Sequence, residues 1–217
     1  MTLLHLCDYG AGNIHNVERG LLRAGAQVQR CTDGSQLAGA KVVVIPGVGA
    51  FGDCIDALRA KGFEAPLKEL AAAGVWMLGI CVGMQVLATC SEEFGRHEGL
   101  DIIPGTVQLI PGLTPEGEVL KRPHVGWSGL LAGPGGWAES PLKGTPAGAP
   151  VYFVHSYQLN PVDPLHELAH VNYGGQAVTA AVRSGRVFGV QFHPEKSGHT
   201  GLQILREFIR MAGAGAA

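Results

Sequence analysis

Two short runs, KVVVIPG (41–47) and VWMLGI (75–80), are apolar at nearly every position. A strand with one wet face alternates. A run this continuous belongs to a strand covered on both faces, which is the habit of parallel sheets flanked by helices. LLHLCD (3–8) reads the same way, and QVQRC (27–31) reads as an alternating strand. Helical patterns lie between them. One passes through Val17, Leu21 and Leu22 to Ala24, with Asn13 as its cap and Gly25 at its end. Others cover roughly 53–61 and 66–73, and another helix is expected straight after Cys81. Strands alternating with helices imply a parallel α/β sheet.

The character changes near residue 100. GTVQLI, EVLKRPHV, PVYFVHSY, HELAHVNY, QAVTAAVRS and RVFGVQF read as strands divided by turns, and a helical pattern returns in GLQILREFIRMA (201–212). The Gly/Pro-rich stretch 132–150 reads as a surface loop. The second half holds too little helix to cover a sheet of its own. The fold class expected is therefore α/β, one domain over 1–212. It has a central mixed, mostly parallel sheet with helices on both faces, plus extra antiparallel strands. The end, 213–217, is expected to be a frayed tail.

The 217 residues suffice for one good-sized core and at most two small domains. Sixteen Lys+Arg against eighteen Asp+Glu leave a net charge of −2 without a basic block, so neither nucleic acid nor an anionic membrane is expected as a partner. No apolar run reaches the roughly eighteen residues of a membrane helix. MTLLHLCDYG lacks the basic n-region of a signal peptide. Five cysteines, an odd number with no C-x-x-C pair, favour reduced thiols in a cytoplasmic protein.

G-I-C-V-G sets Cys81 between Gly79 and Gly83 at the tip of an apolar run. That is the cysteine form of a nucleophile elbow: a tight strand-to-helix turn with small neighbours that projects its nucleophile. A helix start favours thiolate, and the N–H after the nucleophile, that of Val82, can bind an oxyanion. Taken alone, Cys81 reads equally well as a core cysteine. A nucleophile needs a base and an orienter. In GVQFHPEKS a strand is expected to end at His193, with Glu195 two residues on to hold the imidazole in one tautomer. PGVGAFGD (46–53) follows a strand directly. It reads as a second source of oxyanion donors opposite Cys81, or as a plain turn.

HELAH (166–170) matches the H-E-x-x-H pattern of zinc peptidases, which works only on a helix. Pro164 before it, Gly174-Gly175 after it and the poor helix formers Val171, Asn172 and Tyr173 make it a strand instead. On a strand the two histidines stand roughly 13 Å apart, too far for one metal ion. No metal site is expected. His5, His15, His97 and His199 suggest no role.

DYGAGN, PGVGAF, GICVGMQ, GLDIIPG, YFVHSY and HPEKS together resemble the glutaminase subunits of imidazole glycerol phosphate synthase, within the class I (triad) glutamine amidotransferases. The likeness runs from Asp8 to Glu195, nearly the whole chain. It implies a class I glutamine amidotransferase-like domain that hydrolyses glutamine to glutamate and ammonia through a cysteine thioester, without a cofactor. Cys81 matches the attacking thiolate, His193 the base that then protonates the leaving ammonia, and Glu195 the residue that orients it. Gly47, Val48 and Gly49 match the oxyanion strand, beside the N–H of Val82. Gly47, Gln85, Glu93, His155, Ser156 and Tyr157 match positions that hold glutamine, and a carboxylate such as Glu93 suits its ammonium.

The implied partner is a cyclase subunit, a (β/α)8 barrel, in a heterodimer. The barrel receives the ammonia and makes imidazole glycerol phosphate and AICAR. Asn13, Asn16 and Lys196 match partner-facing positions. The chain departs from the family at Val82, usually leucine, and in PHVGWSG, where Val125 and Ser128 replace methionine and asparagine. Trp127 is kept. Exposed, it would anchor the partner; half-buried, it would cover the sheet. Competing readings are a glutaminase serving another acceptor, a redox-sensing thiol protein, and a zinc peptidase.

Overall fold

The computed structural model describes residues 1–214. In its first half, β1 (Leu3–Cys7), β2 (Gln27–Cys31), β3 (Val42–Gly47) and β4 (Trp76–Cys81) are connected through α1 (Ile14–Arg23), α2 (Phe51–Ala60) and α3 (Glu64–Ala72), and α4 (Val82–Gln85) follows β4. The second half adds β5 (Cys90–Ser91), β6 (His97–Glu98), β7 (Gly105–Leu109), β8 (His124–Gly129), β9 (Leu131–Ala132), β10 (Pro150–His155), β11 (Tyr157–Pro161), β12 (Glu167–Tyr173), β13 (Gln176–Ser184) and β14 (Val187–Val190). It closes on α5 (Gly198–Ala214).

Eight strands form one sheet in the order β2-β1-β3-β4-β14-β13-β12-β9. Pairing is parallel from β2 to β14 and antiparallel beyond it. This is the mixed, mostly parallel sheet that the apolar runs imply. Every residue of β3 is buried, whereas β2, at the edge, alternates. The chain steps one way from β1 to β2 and the other way from β3 to β4. With right-handed crossovers, α1 and the α2–α3 pair then cover opposite faces. α5 packs beside α1. Two small sheets, β10-β8 and β11-β7-β5-β6, carry the extra antiparallel strands.

Local chemistry explains the ends of the helices. α1 buries Ile14, Val17 and Leu21, one stripe of the helix, and Asn13 caps it by accepting from the Asn16 N–H at 3.3 Å. It stops at Gly25 (φ 99°), where Gly25 N donates to Leu22 O and Ala26 N to Leu21 O, the paired bonds of a Schellman motif. The same pair of bonds closes α2 and α3.

Several elements differ from expectation. α2 starts at Phe51, not 53, because Glu93 Oε2 accepts the Phe51 N–H at 2.6 Å, a cap from 42 residues away. The helix after Cys81 is a single turn. The carbonyls of Val86, Leu87 and Ala88 accept the amides of Leu100, Ile102 and Asp101, so the chain turns away instead of continuing. EVLKRPHV is strand only from His124 onward. Pro123 has no N–H for a ladder and restrains Arg122. PVYFVHSY divides at Ser156 into β10 and β11, which belong to different sheets. α5 begins three residues before 201 and runs to Ala214, two residues into the expected tail. The remainder of that stretch, 215–217, lies outside the described residues.

Candidate active site

The parallel strands β1, β3, β4 and β14 all point one way, and their carboxyl ends form the floor of the site. Gly47 at the end of β3 is the register partner of Cys81 at the end of β4. Cys81 has φ 57° and ψ −116°, a conformation that side chains rarely adopt. The glycines around it are there for closeness. A Cβ on Gly83 would strike the carbonyl oxygen of Ile45, and one on Gly79 would strike that of Gly83. The turn of α4 is pressed onto β3 and β4, which is why the elbow needs small residues on both sides.

β14 stops at Val190, three residues short of the strand end expected at His193. His193 instead precedes a 3-10 turn, Pro194–Lys196. Its N–H donates to Tyr152 O at 3.0 Å. Ser197 Oγ donates to His193 O at 2.7 Å and accepts the Tyr152 N–H at 2.9 Å, so Ser197 locks this loop to β10. His193 Nδ1 lies 2.9 Å from Glu195 Oε1. Behind Glu195 packs α1, where a Cβ on Gly20 would come within 3.1 Å of Glu195 Cβ.

The Nε2 of His193 has no partner of strict hydrogen-bond geometry. The Cys81 sulfur is nonetheless near enough to govern its charge. Burial disfavours the imidazolium, but hydrogen bonding to Cys81 and to Glu195, together with the charges of both, outweighs it and pushes the His193 pKa up to about 9. A loose contact that tightens on substrate is ordinary for a resting catalytic pair.

Cys81 and His193 share a pocket of about 260 Å³ with the oxyanion candidates Val48, Gly49 and Val82 and with Gln85, Glu93, His155, Ser156 and Tyr157. The structure thus brings these sequence-derived candidates together. Gly47 lies beneath them as part of the floor. Gln85 is also tied down within the protein: its amide nitrogen donates to Tyr157 O at 3.0 Å and to Gln191 Oε1 at 2.9 Å. Glu93 lends one oxygen to the α2 cap. His155 donates from Nδ1 to Tyr157 O at 2.9 Å, and burial lowers its pKa to about 4. Its Nε2 therefore accepts from His124 Nδ1 at 3.2 Å, and His124 Nε2 accepts from the Ser128 hydroxyl at 2.9 Å.

Other residues here escaped the sequence reading. Tyr9 donates its hydroxyl to Pro46 O, and Cys54 donates its thiol to Val48 O at 3.3 Å, so two side chains pin the strand that carries Gly47 to Gly49. Tyr9 sits in DYGAGN, so its motif was visible but its role was not. Pro123 and Val154 also line the pocket.

Of the partner-facing candidates, Trp127 is 56% exposed on β8. Its ring lies 5.9 Å from that of Tyr152, and Lys196 Nζ lies 5.9 Å from the Tyr152 centroid. Asn13 caps α1, and Asn16 lines a cleft with Pro194 and Glu195. HELAH runs as a 3-10 turn ending at His166 and then strand β12, with His170 Nδ1 3.2 Å from Glu167 Oε1. All five cysteines are buried and unpaired.

Comparison with known proteins follows the same lines. The family profile described as "Glutamine amidotransferase class-I" matches residues 5–212. The imidazole glycerol phosphate synthase subunit HisH 1 of Legionella pneumophila (strain Paris) is 40% identical over 213 residues, covering 97% of this chain and 100% of that protein. The subunit HisH of Syntrophotalea carbinolica is 44% identical over 208 residues, 95% and 98% of the two chains. Among solved structures, a glutamine amidotransferase matches with TM-score 0.73 at 19% identity over 98% of this chain and 100% of its own. PurLQS from Thermotoga maritima matches with TM-score 0.70 at 17% identity over 96% and 98%. At such identities these structures speak for the fold.

Proposed function

The chain belongs to the class I glutamine amidotransferases, and from that premise we propose that it is the glutaminase subunit of imidazole glycerol phosphate synthase, acting in histidine biosynthesis. It hydrolyses glutamine to glutamate and ammonia. The observation that carries this is one arrangement: Cys81 on a strained elbow, in one pocket with a His193 whose far nitrogen is held 2.9 Å from Glu195.

The chemistry follows from these groups. The Cys81 thiolate attacks the side-chain amide carbon of glutamine. Charge moves to the amide oxygen, which meets the N–H of Val82 and those of the Val48–Gly49 segment. The His193 imidazolium, kept protonated by its neighbours, gives its proton to the departing nitrogen, and ammonia leaves. A glutamyl thioester remains on Cys81. Water, deprotonated by the now neutral His193, attacks the thioester. Glutamate departs as the sulfur recovers its electron pair, and His193 regains its proton. Glu195 holds the imidazole through both steps and stabilises its charge. Glu93, Gln85 and the 155–157 segment hold the amino acid, and Glu93 faces its ammonium.

The ammonia passes to a cyclase subunit bound as a heterodimer at the face bearing Asn13, Asn16, Trp127 and Lys196. The cytoplasm is the compartment such a biosynthetic pair requires. Among the described residues no helix is long and apolar enough to cross a membrane.

Glutamate release from glutamine tests this in three samples: the chain alone, with the cyclase subunit, and with the cyclase and its nucleotide ligand. Cys81→Ala runs beside each. Release that rises with the partner and vanishes in Cys81→Ala is the expected result. No release in any sample, from folded and complexed protein, overturns it and favours a thiol sensor.

A further inference from the structure

Amide orientations in the pocket follow from one carbonyl. A backbone oxygen only accepts, so the Gln85 atom 3.0 Å from Tyr157 O is the amide nitrogen. That nitrogen lies 2.9 Å from Gln191, which must present its oxygen there. The amide nitrogen of Gln191 then faces the other way, and it lies 3.7 Å from Cys81 Sγ, a hydrogen-bond distance for the large sulfur atom. Gln191 is wholly buried, and its backbone N–H donates to Ala180 O at 2.8 Å, so neither end of the residue is free to turn.

A buried amide left unpaired is destabilising. An apolar side chain would fill this site without that risk, so the amide must have something to do. The sulfur needs a second donor. When His193 gives its proton to ammonia, Sγ is bonded to carbon. When the thioester collapses, Sγ leaves as an anion beside the His193 imidazolium that has just taken the proton of the water, and a second donor adds to its stabilisation. We propose that Gln191 is a catalytic residue that donates from Nε2 to Cys81 Sγ, holding the thiolate in line for attack and stabilising it as it leaves. Its catalytic meaning rests on the glutaminase reading; the contact with the thiolate does not. Gln85, anchored on Tyr157 O, sets the direction of the Gln191 amide and so acts as a positioning residue.

The test reads the thiolate directly. Cys81 in the full chain is alkylated with iodoacetamide, without glutamine, and followed by peptide-resolved mass spectrometry in the parent, Gln191→Leu and Gln191→Met. Methionine keeps the length of glutamine but has no donor, so it serves if the leucine variant does not fold. The other titratable groups felt at Cys81 are His193, Cys54 on α2 and Tyr9 after β1, and the variants alter none of them. Around pH 7, alkylation slows by about five- to twentyfold in the folded variants, while around pH 9.5 it approaches the parent rate. Parent-like alkylation at pH 7 overturns the proposal. Equal slowing at both pH values also overturns it, because that reports closed access rather than a lost donor. Failure of the glutaminase reading would leave this alkylation pattern intact while no glutamate is released.

Discussion

His193 Nδ1 and Glu195 Oε1 lie 2.9 Å apart, with both side chains almost entirely out of water. Only Pro194 separates them, and its fixed φ sets the 3-10 turn that folds the carboxylate back onto the ring. Glu195→Gln keeps the shape but removes the charge. It is expected to lower glutaminase kcat by about two to four orders of magnitude, through loss of imidazolium stabilisation and of the correct tautomer. It also removes one cause of the raised His193 pKa, so the NMR titration of that ring moves down from about 9. An unchanged titration would show that Cys81 alone sustains the charge.

Two buried histidines give the stability curve opposite slopes. In the unfolded chain both titrate near 6.5. His193 is raised to about 9, so its contribution is full below pH 6.5 and is lost as pH rises through 9. His155 is lowered to about 4, so its contribution is full above pH 6.5 and is lost as pH falls through 4. Shifts of this size correspond to about 3 kcal/mol each. Urea unfolding near pH 4.5, 6.5 and 9 is expected to show a maximum at the middle value. In Cys81→Ala the alkaline loss shrinks while the acid loss stays, because Cys81 helps to raise His193 and is not among the groups that lower His155. A parent-like alkaline loss in that variant would contradict the assignment.

The sheet was legible because burial on both faces leaves a mark on every residue of β3 and β4, and parallel strands of this kind need helices between them. Cys81, His193 and Glu195 were legible because their partners are near in sequence or carry a recognisable turn. What escaped depends on distant pairing. Glu93 caps α2 from 42 residues away, His124 meets His155 from 31 away, and Gln191 meets Cys81 from 110 away. No local pattern encodes such meetings; for Gln191 it is the adjacency of β4 and β14 that does, and for His124 and His155 the pairing of β8 with β10. The helix that opens after Cys81 was legible, but its length of one turn was not, since the amides that stop it arrive from residues 100–102.

The elbow makes a stability prediction separate from catalysis. At φ 57° and ψ −116° a side chain is strained, and glycine is not. Cys81→Ala and Cys81→Gly are both expected to lose hydrolysis completely. Cys81→Gly should nonetheless be the more stable of the two by about 1 kcal/mol, read from denaturant midpoints, the reverse of the usual order for these residues. Gly83→Ala should show the cost of closeness instead, since its Cβ would strike Ile45 O, with loss of several °C in Tm. If Cys81→Ala proved the more stable, the elbow would hold no strain.

Trp127 gives the sharpest test of the partner face. At 56% exposed it does little to cover the sheet, which supports the proposal that it anchors the partner. Its ring meets Tyr152, over which the Lys196 ammonium also sits, so two candidates far apart in sequence form one aromatic and cationic patch. Lys196 follows Glu195 directly, so whatever docks on the patch presses on the turn that orients His193. Trp127→Ala is expected to weaken cyclase binding by about ten- to hundredfold in calorimetry, the scale of an interface hot spot. The Tm of the isolated chain and the alkylation rate of Cys81 should stay near the parent values. A lower Tm with unchanged affinity would return Trp127 to the sheet and move the partner's anchor elsewhere.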